Sequence, residues 1–189
     1  MKSSNNKFYL YSIGETGNLG TFLLSKNKHD ELCKYFPKDY VDSILNHFNK
    51  KSNIDYKLLS SEYISKYVIA TKGGVLAALW DLCEDMKLGL EYSIKLFPIS
   101  QYTIEVCNYF DLNPYRLLCE DVILIASNKP VECYKYLIKN FDNVSFIGGF
   151  NDSNKRVRTD LENISYLTKD HKDELLKIFP KAFLKSYKF

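Results

Sequence analysis

The stretch Thr71-Lys72-Gly73-Gly74 stands directly before an apolar run with helical spacing, and that order of residues can hold an anion. The free N–H groups of a helix start and the positive end of its macrodipole point at such a ligand, glycines allow close approach, and Lys72 adds charge. The same residues can equally serve tight packing of a helix on a strand with Thr71 as an ordinary cap, and both readings stay open. Arg116, two residues after Pro114, can reach an anion or pair with a carboxylate such as Asp111 or Glu120. Gly14-x-x-Gly17-x-x-Gly20 lacks the Gly-Lys-Ser/Thr ending of a phosphate loop and has the wrong first spacing for a dinucleotide fingerprint. It reads as a turn whose amides could face the same pocket. Glu120 and Asp121 are adjacent, and in an extended segment they point to opposite faces, so they do not converge. No nucleophile beside a histidine can be named, and the catalytic residues are therefore unknown.

The remaining reactive types give little. His29, His47 and His171 are scattered among charged or amide neighbours and read as exposed and unemployed, so no metal site is expected. Cys33, Cys83, Cys107, Cys119 and Cys133 form an odd set without a C-x-x-C pair, which reads as reduced thiols packed in the core of a cytoplasmic protein. The chain has 189 residues, a size for one domain over residues 1–189. Its 26 Lys and Arg against 23 Asp and Glu leave a net charge of +3, all of it within residues 151–189, and so mild an asymmetry does not announce a nucleic-acid binder. Hydrophobic residues at 46% exclude a disordered chain, and no apolar run reaches the roughly 18 residues of a membrane span. The N-terminus has no secretory pattern.

The elements that must position these residues alternate. Residues 6–13 read as a strand, 22–24 as part of a short helix, and His29 to Phe36 as a helix interrupted at Pro37. A second helical piece carries Val41, Ile44, Leu45 and Phe48, and Asn46 to Asp55 is the best loop. A helix is expected over Leu58 to Tyr67. Val75, Leu79, Leu82 and Met86 mark one broad apolar stripe after Gly74, with Trp80 in the core-facing helix and Gly89 as its stop. Leu90 to Leu96 read as a strand, Ser100 caps a helix through Phe110, and Pro114 opens a helical turn through Leu118. Val122 to Ala126 has the mark of a central strand. Lys129-Pro130 opens a helix to about Asn140, Val144 to Ile147 form a strand broken by Gly148-Gly149, Lys155 to Thr159 return as its partner, and Thr168 caps a last helix. Such alternation argues for an α/β (α+β) domain, a mixed sheet flanked by helices.

Gly73-Gly-Val-Leu-Ala-Ala-Leu-Trp80, then a strand, Pro98, a helix, and Leu112-Asn-Pro-Tyr-Arg-Leu-Leu118 before the strand Ile123-Leu-Ile-Ala126, is a combination that resembles the C-terminal domain of the aminoimidazole ribonucleotide (AIR) synthase superfamily. The likeness is greatest to its AIR-synthase-related, hydrogenase-maturation-like branch. Gly20 to Leu24 and Asp173 to Leu176 fall where that family places its first strand-to-helix turn and its last helix. The resemblance implies an absent N-terminal half that carries the acidic, Mg-ATP-binding and dimer-forming elements. It also shows departures: the family's Asp and acidic positions before the double glycine are Ile69 and Lys72 here, its Ser-Ser-Gly is Cys119-Glu120-Asp121, and the terminal cysteine of hydrogenase maturation has no counterpart in Ser186-Tyr-Lys-Phe189.

Together these readings imply a stand-alone, catalytically degenerate domain that binds a small anionic or phosphorylated ligand through Thr71, Lys72, Gly73, Gly74 and Arg116, or binds a partner protein. The alternative is a subunit of an ATP-dependent synthetase or maturation enzyme whose nucleotide-binding half is a separate chain. ATP and Mg would enter only with that partner, and self-association is a further option. A weaker third reading uses the basic Lys155-Arg-Val-Arg158 segment and the C-terminal lysines to bind nucleic acid.

Overall fold

The structure, a computed structural model, describes residues 7–49, 54–160, 164–169 and 172–185. Its centre is β4 (Val122–Ser127), in which every residue is buried. A strand without a polar face must be covered on both sides, and this one is. The described strands form a sheet in the order β2-β4-β1-β5-β3-β6-β7, with β1 (Tyr9–Ile13), β2 (Lys66–Ala70), β3 (Gly89–Tyr92), β5 (Ser145–Asn151), β6 (Arg156–Arg158) and β7 (Ser165–Tyr166). All neighbours are antiparallel except β3 and β6, which are parallel.

The alternation of side chains along β1 and β4 divides the core. Leu10, Leu124 and Ala126 face α4 (Gly74–Met86), whose Val75, Leu79 and Leu82 are fully buried. Each such side chain stabilises the fold by about 1.5–3 kcal/mol relative to exposure. Tyr11, Ile13, Ile123 and Ile125 face the other way, onto Cys133 and Leu137 of α6 (Pro130–Asn140). A third cluster joins α1 (Asn18–Asn27), α3 (Lys38–Phe48) and α5 (Gln101–Tyr109) to Leu112, Leu117, Leu118 and Leu175. The short α2 (His29–Leu32) and α7 (Lys181–Lys185) complete the helices of the described residues.

Several expectations are corrected. The helix expected over Leu58 to Tyr67 is one 3-10 turn, Tyr56–Ser60, followed by the edge strand β2, because Lys66 to Ala70 find ladder partners on β4. The helix expected to run to Phe36 ends at Leu32. α4 is closed by Lys87, which takes the left-handed conformation at φ 55°, and Gly89 instead opens β3. β3 ends at Tyr92, and Ile94–Leu96 form a 3-10 turn. β5 runs through Gly148 and Gly149 without breaking: a Cβ at Gly148 would run into the Glu91 carbonyl oxygen, so the glycine is what lets β3 approach. β6 pairs with β3 rather than returning against β5. The last helix is instead a 3-10 turn at Glu174–Lys177 capped by Asp173, while residues 170–171, next to the expected cap Thr168, lie outside the described residues. Trp80 is only half-buried and carries the Arg156 guanidinium 3.9 Å above its ring.

Candidate functional site

The turn before α4 is built from two left-handed glycines, Gly73 at φ 79° and Gly74 at φ 64°. A Cβ on Gly74 would meet the Tyr115 carbonyl oxygen at 2.5 Å, so only glycine lets this turn lie on the 115–117 backbone. The Thr71 carbonyl accepts from the amides of Gly74 at 3.1 Å and Cys119 at 3.2 Å, and no side chain caps the helix. Lys72 is exposed on the turn. Four of the five sequence-derived residues are thus contiguous, and the fifth, Arg116, lies in the segment that packs against Gly74.

The helix start already faces a carboxylate. Asp173, 5% exposed, accepts from the Gly73 amide through Oδ2 at 2.9 Å and from the Leu175 amide through Oδ1 at 3.0 Å. Burial pushes its carboxyl above the usual value, against the pull of the Gly73, Leu175 and Leu118 amides. Beside it, Glu174 accepts from the Asn113 amide at 3.1 Å and pairs with Lys177 at 2.6 Å. Two adjacent acids of one C-terminal turn therefore dock on two separate loops, Asp173 on one a hundred residues upstream and Glu174 on one 61 residues upstream. Sequence reasoning placed Asp173 only in a terminal helix. Its signal is that of a cap for the following turn, and nothing local reveals its second partner a hundred residues upstream.

Arg116 does not pair with Asp111 or Glu120 among the described residues, and its Nε is buried without a hydrogen-bond partner. The glycine-punctuated loop also turns inward: the Gly17 amide donates to Cys119 Sγ at 3.2 Å and the Gly20 amide to the Leu118 carbonyl at 2.9 Å. Those two amides face the protein's own 117–119 backbone and thiol.

A second, acid-lined cleft of about 410 Å³ lies at the end of β1, bordered by Glu15, His47, Glu120, Asp121 and Asp142. Glu120 and Asp121 share it because Asp121 takes a left-handed φ of 58°, which defeats the alternation expected of an extended pair. Desolvation and the neighbouring Asp121 raise the Glu120 carboxyl. Asp121 accepts from the Tyr56 hydroxyl. His47 is employed after all, 2.9 Å from Glu15, as is His29, 2.9 Å from Asp42. His171 lies outside the described residues. Of the basic segment, Arg156 is engaged with Trp80 and Glu84, and Arg158 with Asp160 at 2.8 Å. All five thiols are free, and four are buried.

Among the described residues, no three His, Cys, Asp or Glu side chains group so as to hold a metal ion, and the Gly73 amide is engaged by Asp173. No helix among the described residues is long and apolar enough to cross a membrane.

No protein-family model matches the chain, and no curated protein matches it in sequence. Its likeness is to solved structures. E. coli HypE, a hydrogenase maturation protein, superposes with a TM-score of 0.68 at 17% identity over 91% of this chain and 52% of its own. A chain of the HypE-HypF complex gives 0.65 at 16% identity over 86% and 53%. AaThiL complexed with AMPPCP and TMP gives 0.55 at 19% identity over 81% and 50%. The chain spans about half the length of the structures it matches. It has the fold found in these AIR synthase-related proteins, an α/β arrangement with a mixed sheet, as the resemblance of residues 73–126 implied.

Proposed function

We propose that this chain is a catalytically degenerate counterpart of one half of an AIR synthase-related protein, and that it works by binding a partner protein rather than by turning over a nucleotide alone. The observation that carries this is the bond between Asp173 and the Gly73 amide. An external anion at the start of α4 needs that donor, and the chain supplies its own buried carboxylate instead. A small anionic or phosphorylated ligand then reaches Thr71, Lys72, Gly73, Gly74 and Arg116 only when the segment carrying Asp173 withdraws. ATP turnover by the purified chain would overturn the reading. Thermal melts with inorganic phosphate and a nucleotide panel test the anion seat: stabilisation of Asp173→Ala but not of the wild-type chain supports a seat that is internally filled, whereas equal stabilisation of both puts the anion elsewhere.

A second reading is a subunit whose nucleotide-binding half is a separate chain, which would bring ATP and Mg with it. Its support is the half-length match, together with the HypE-HypF complex and the AaThiL complex with AMPPCP and TMP among the similar structures. A co-purifying chain that restores ATP hydrolysis would favour it, and cross-linking in cells that captures none would count against it.

A further inference from the structure

We propose that the cavity between the residues following α2 and helix α5 binds a fully alkylated ammonium group. The cavity measures about 510 Å³ and is bordered by Tyr35, Phe36, Glu105, Asn108 and Tyr109. Its three rings meet at steep angles: Tyr35 and Phe36 lie 4.9 Å apart at 80°, Tyr35 and Tyr109 5.4 Å apart at 49°, and Phe36 and Tyr109 6.2 Å apart at 57°. They form an aromatic corner rather than a flat patch. Tyr35 is 71% exposed, so the corner is open to a ligand from outside.

Glu105 is the one charged side chain in this lining. Tyr40 donates to its Oε2, and Gln101 donates to its Oε1 at 2.8 Å. These two bonds hold the carboxyl below its usual value, Gln101 contributing most, so the negative charge persists across the neutral range. A negative charge beside ring faces selects a cation, because the quadrupole of each ring is negative over its face.

The kind of cation follows from the same two bonds. Each carboxylate oxygen already accepts from a fixed donor, so the open fork that a guanidinium group needs for two parallel bonds is obstructed. An inorganic cation would have to shed tightly held water against rings that cannot replace it. A tetraalkylammonium centre has no N–H to satisfy, is weakly hydrated, and presents methyl groups to the aromatic walls. This site is remote in sequence from the start of α4, and its test does not depend on the reading given there.

The experiment titrates the full chain with tetramethylammonium chloride while following the aromatic ring signals by nuclear magnetic resonance, with tert-butanol, guanidinium chloride and sodium chloride as comparators. The ring signals lost in Tyr35→Leu should shift saturably with tetramethylammonium at about ten-fold lower concentration than with any comparator. Tyr35→Leu and Glu105→Gln should each weaken binding about ten-fold with an unchanged circular dichroism spectrum, since one side chain is exposed and the other replacement keeps an acceptor for Tyr40. Equal binding of tert-butanol, tighter binding of guanidinium, shifts matched by sodium chloride, or wild-type binding by both variants would each overturn the assignment.

Discussion

Asp173 and Gly73 are a hundred residues apart in the chain and joined by a 2.9 Å bond from the Gly73 amide to a carboxylate that is almost wholly buried. The bond places the chain's own negative charge at the start of α4, where the helix end is electropositive. Replacing Asp173 by Ala strands the Gly73 and Leu175 amides and should cost about 2 kcal/mol, lowering the melting temperature by roughly 6 °C. Asn keeps one acceptor and should lose less. A melt of Asp173→Ala indistinguishable from wild type would show that the bond contributes nothing to the fold.

Gly74→Ala should be more damaging than an ordinary surface change. The new Cβ would meet the Tyr115 and Leu117 carbonyl oxygens at 2.5 and 2.8 Å, in a backbone conformation that L-residues disfavour. Overpacking and the left-handed φ together should cost about 3 kcal/mol by chemical denaturation. For the same reason this variant is unsuited to testing ligand binding. Unchanged stability would mean that the turn relaxes away from the 115–117 backbone.

Asp160 should give the protein an acid limb. Arg158 holds its carboxyl below the usual value, with a further bond from the Ile94 amide. A folded pKa below the unfolded one means that the stabilisation is present above the unfolded value and is lost as pH falls through the folded one. Asp160→Asn should therefore cost about 2 kcal/mol near pH 7 and progressively less below about pH 4. A difference between the two proteins that stays constant with pH would remove Arg158 as the cause.

The single tryptophan offers an optical test. Arg156 lies 3.9 Å above the Trp80 ring and also pairs with Glu84, so Arg156→Ala uncovers one indole face. Trp80 emission should shift to longer wavelength, with a stability loss of about 1 kcal/mol. An unchanged spectrum would place the guanidinium elsewhere in solution.

What the sequence made legible was whatever depends on near neighbours. The β4 run, the α4 stripe, the Ser100 and Pro114 starts and the α/β alternation all emerge from local period and capping. Two of the misreadings share one cause, which is that distant backbone overrode the local pattern. Gly148-Gly149 looked like a break because the strand they admit, β3, lies some sixty residues away. Lys66 and Tyr67, the end of the helix expected from Leu58, looked helical because their ladder partner, β4, lies some sixty residues away. At the candidate site the turn residues were readable, whereas Asp173, Glu15 and the convergence of Glu120 with Asp121 were not. The first two depend on pairing across the fold, and the third depends on a left-handed φ at a non-glycine residue.

The segment 113–119 has an implication for the order in which the molecule becomes whole. It receives the Gly17 and Gly20 amides, lies against Gly74, donates its Cys119 amide to Thr71, and is finally clasped by Asp173 and Glu174. A chain emerging from the ribosome can assemble the sheet centre from β1, β2 and β4 once about 127 residues are out. It must still wait for residue 174 before the amides around this junction are all satisfied. Completion of this junction is thus tied to the arrival of the Glu174–Lys177 turn, and a nascent chain cut short of that turn would carry its least finished surface at the start of α4.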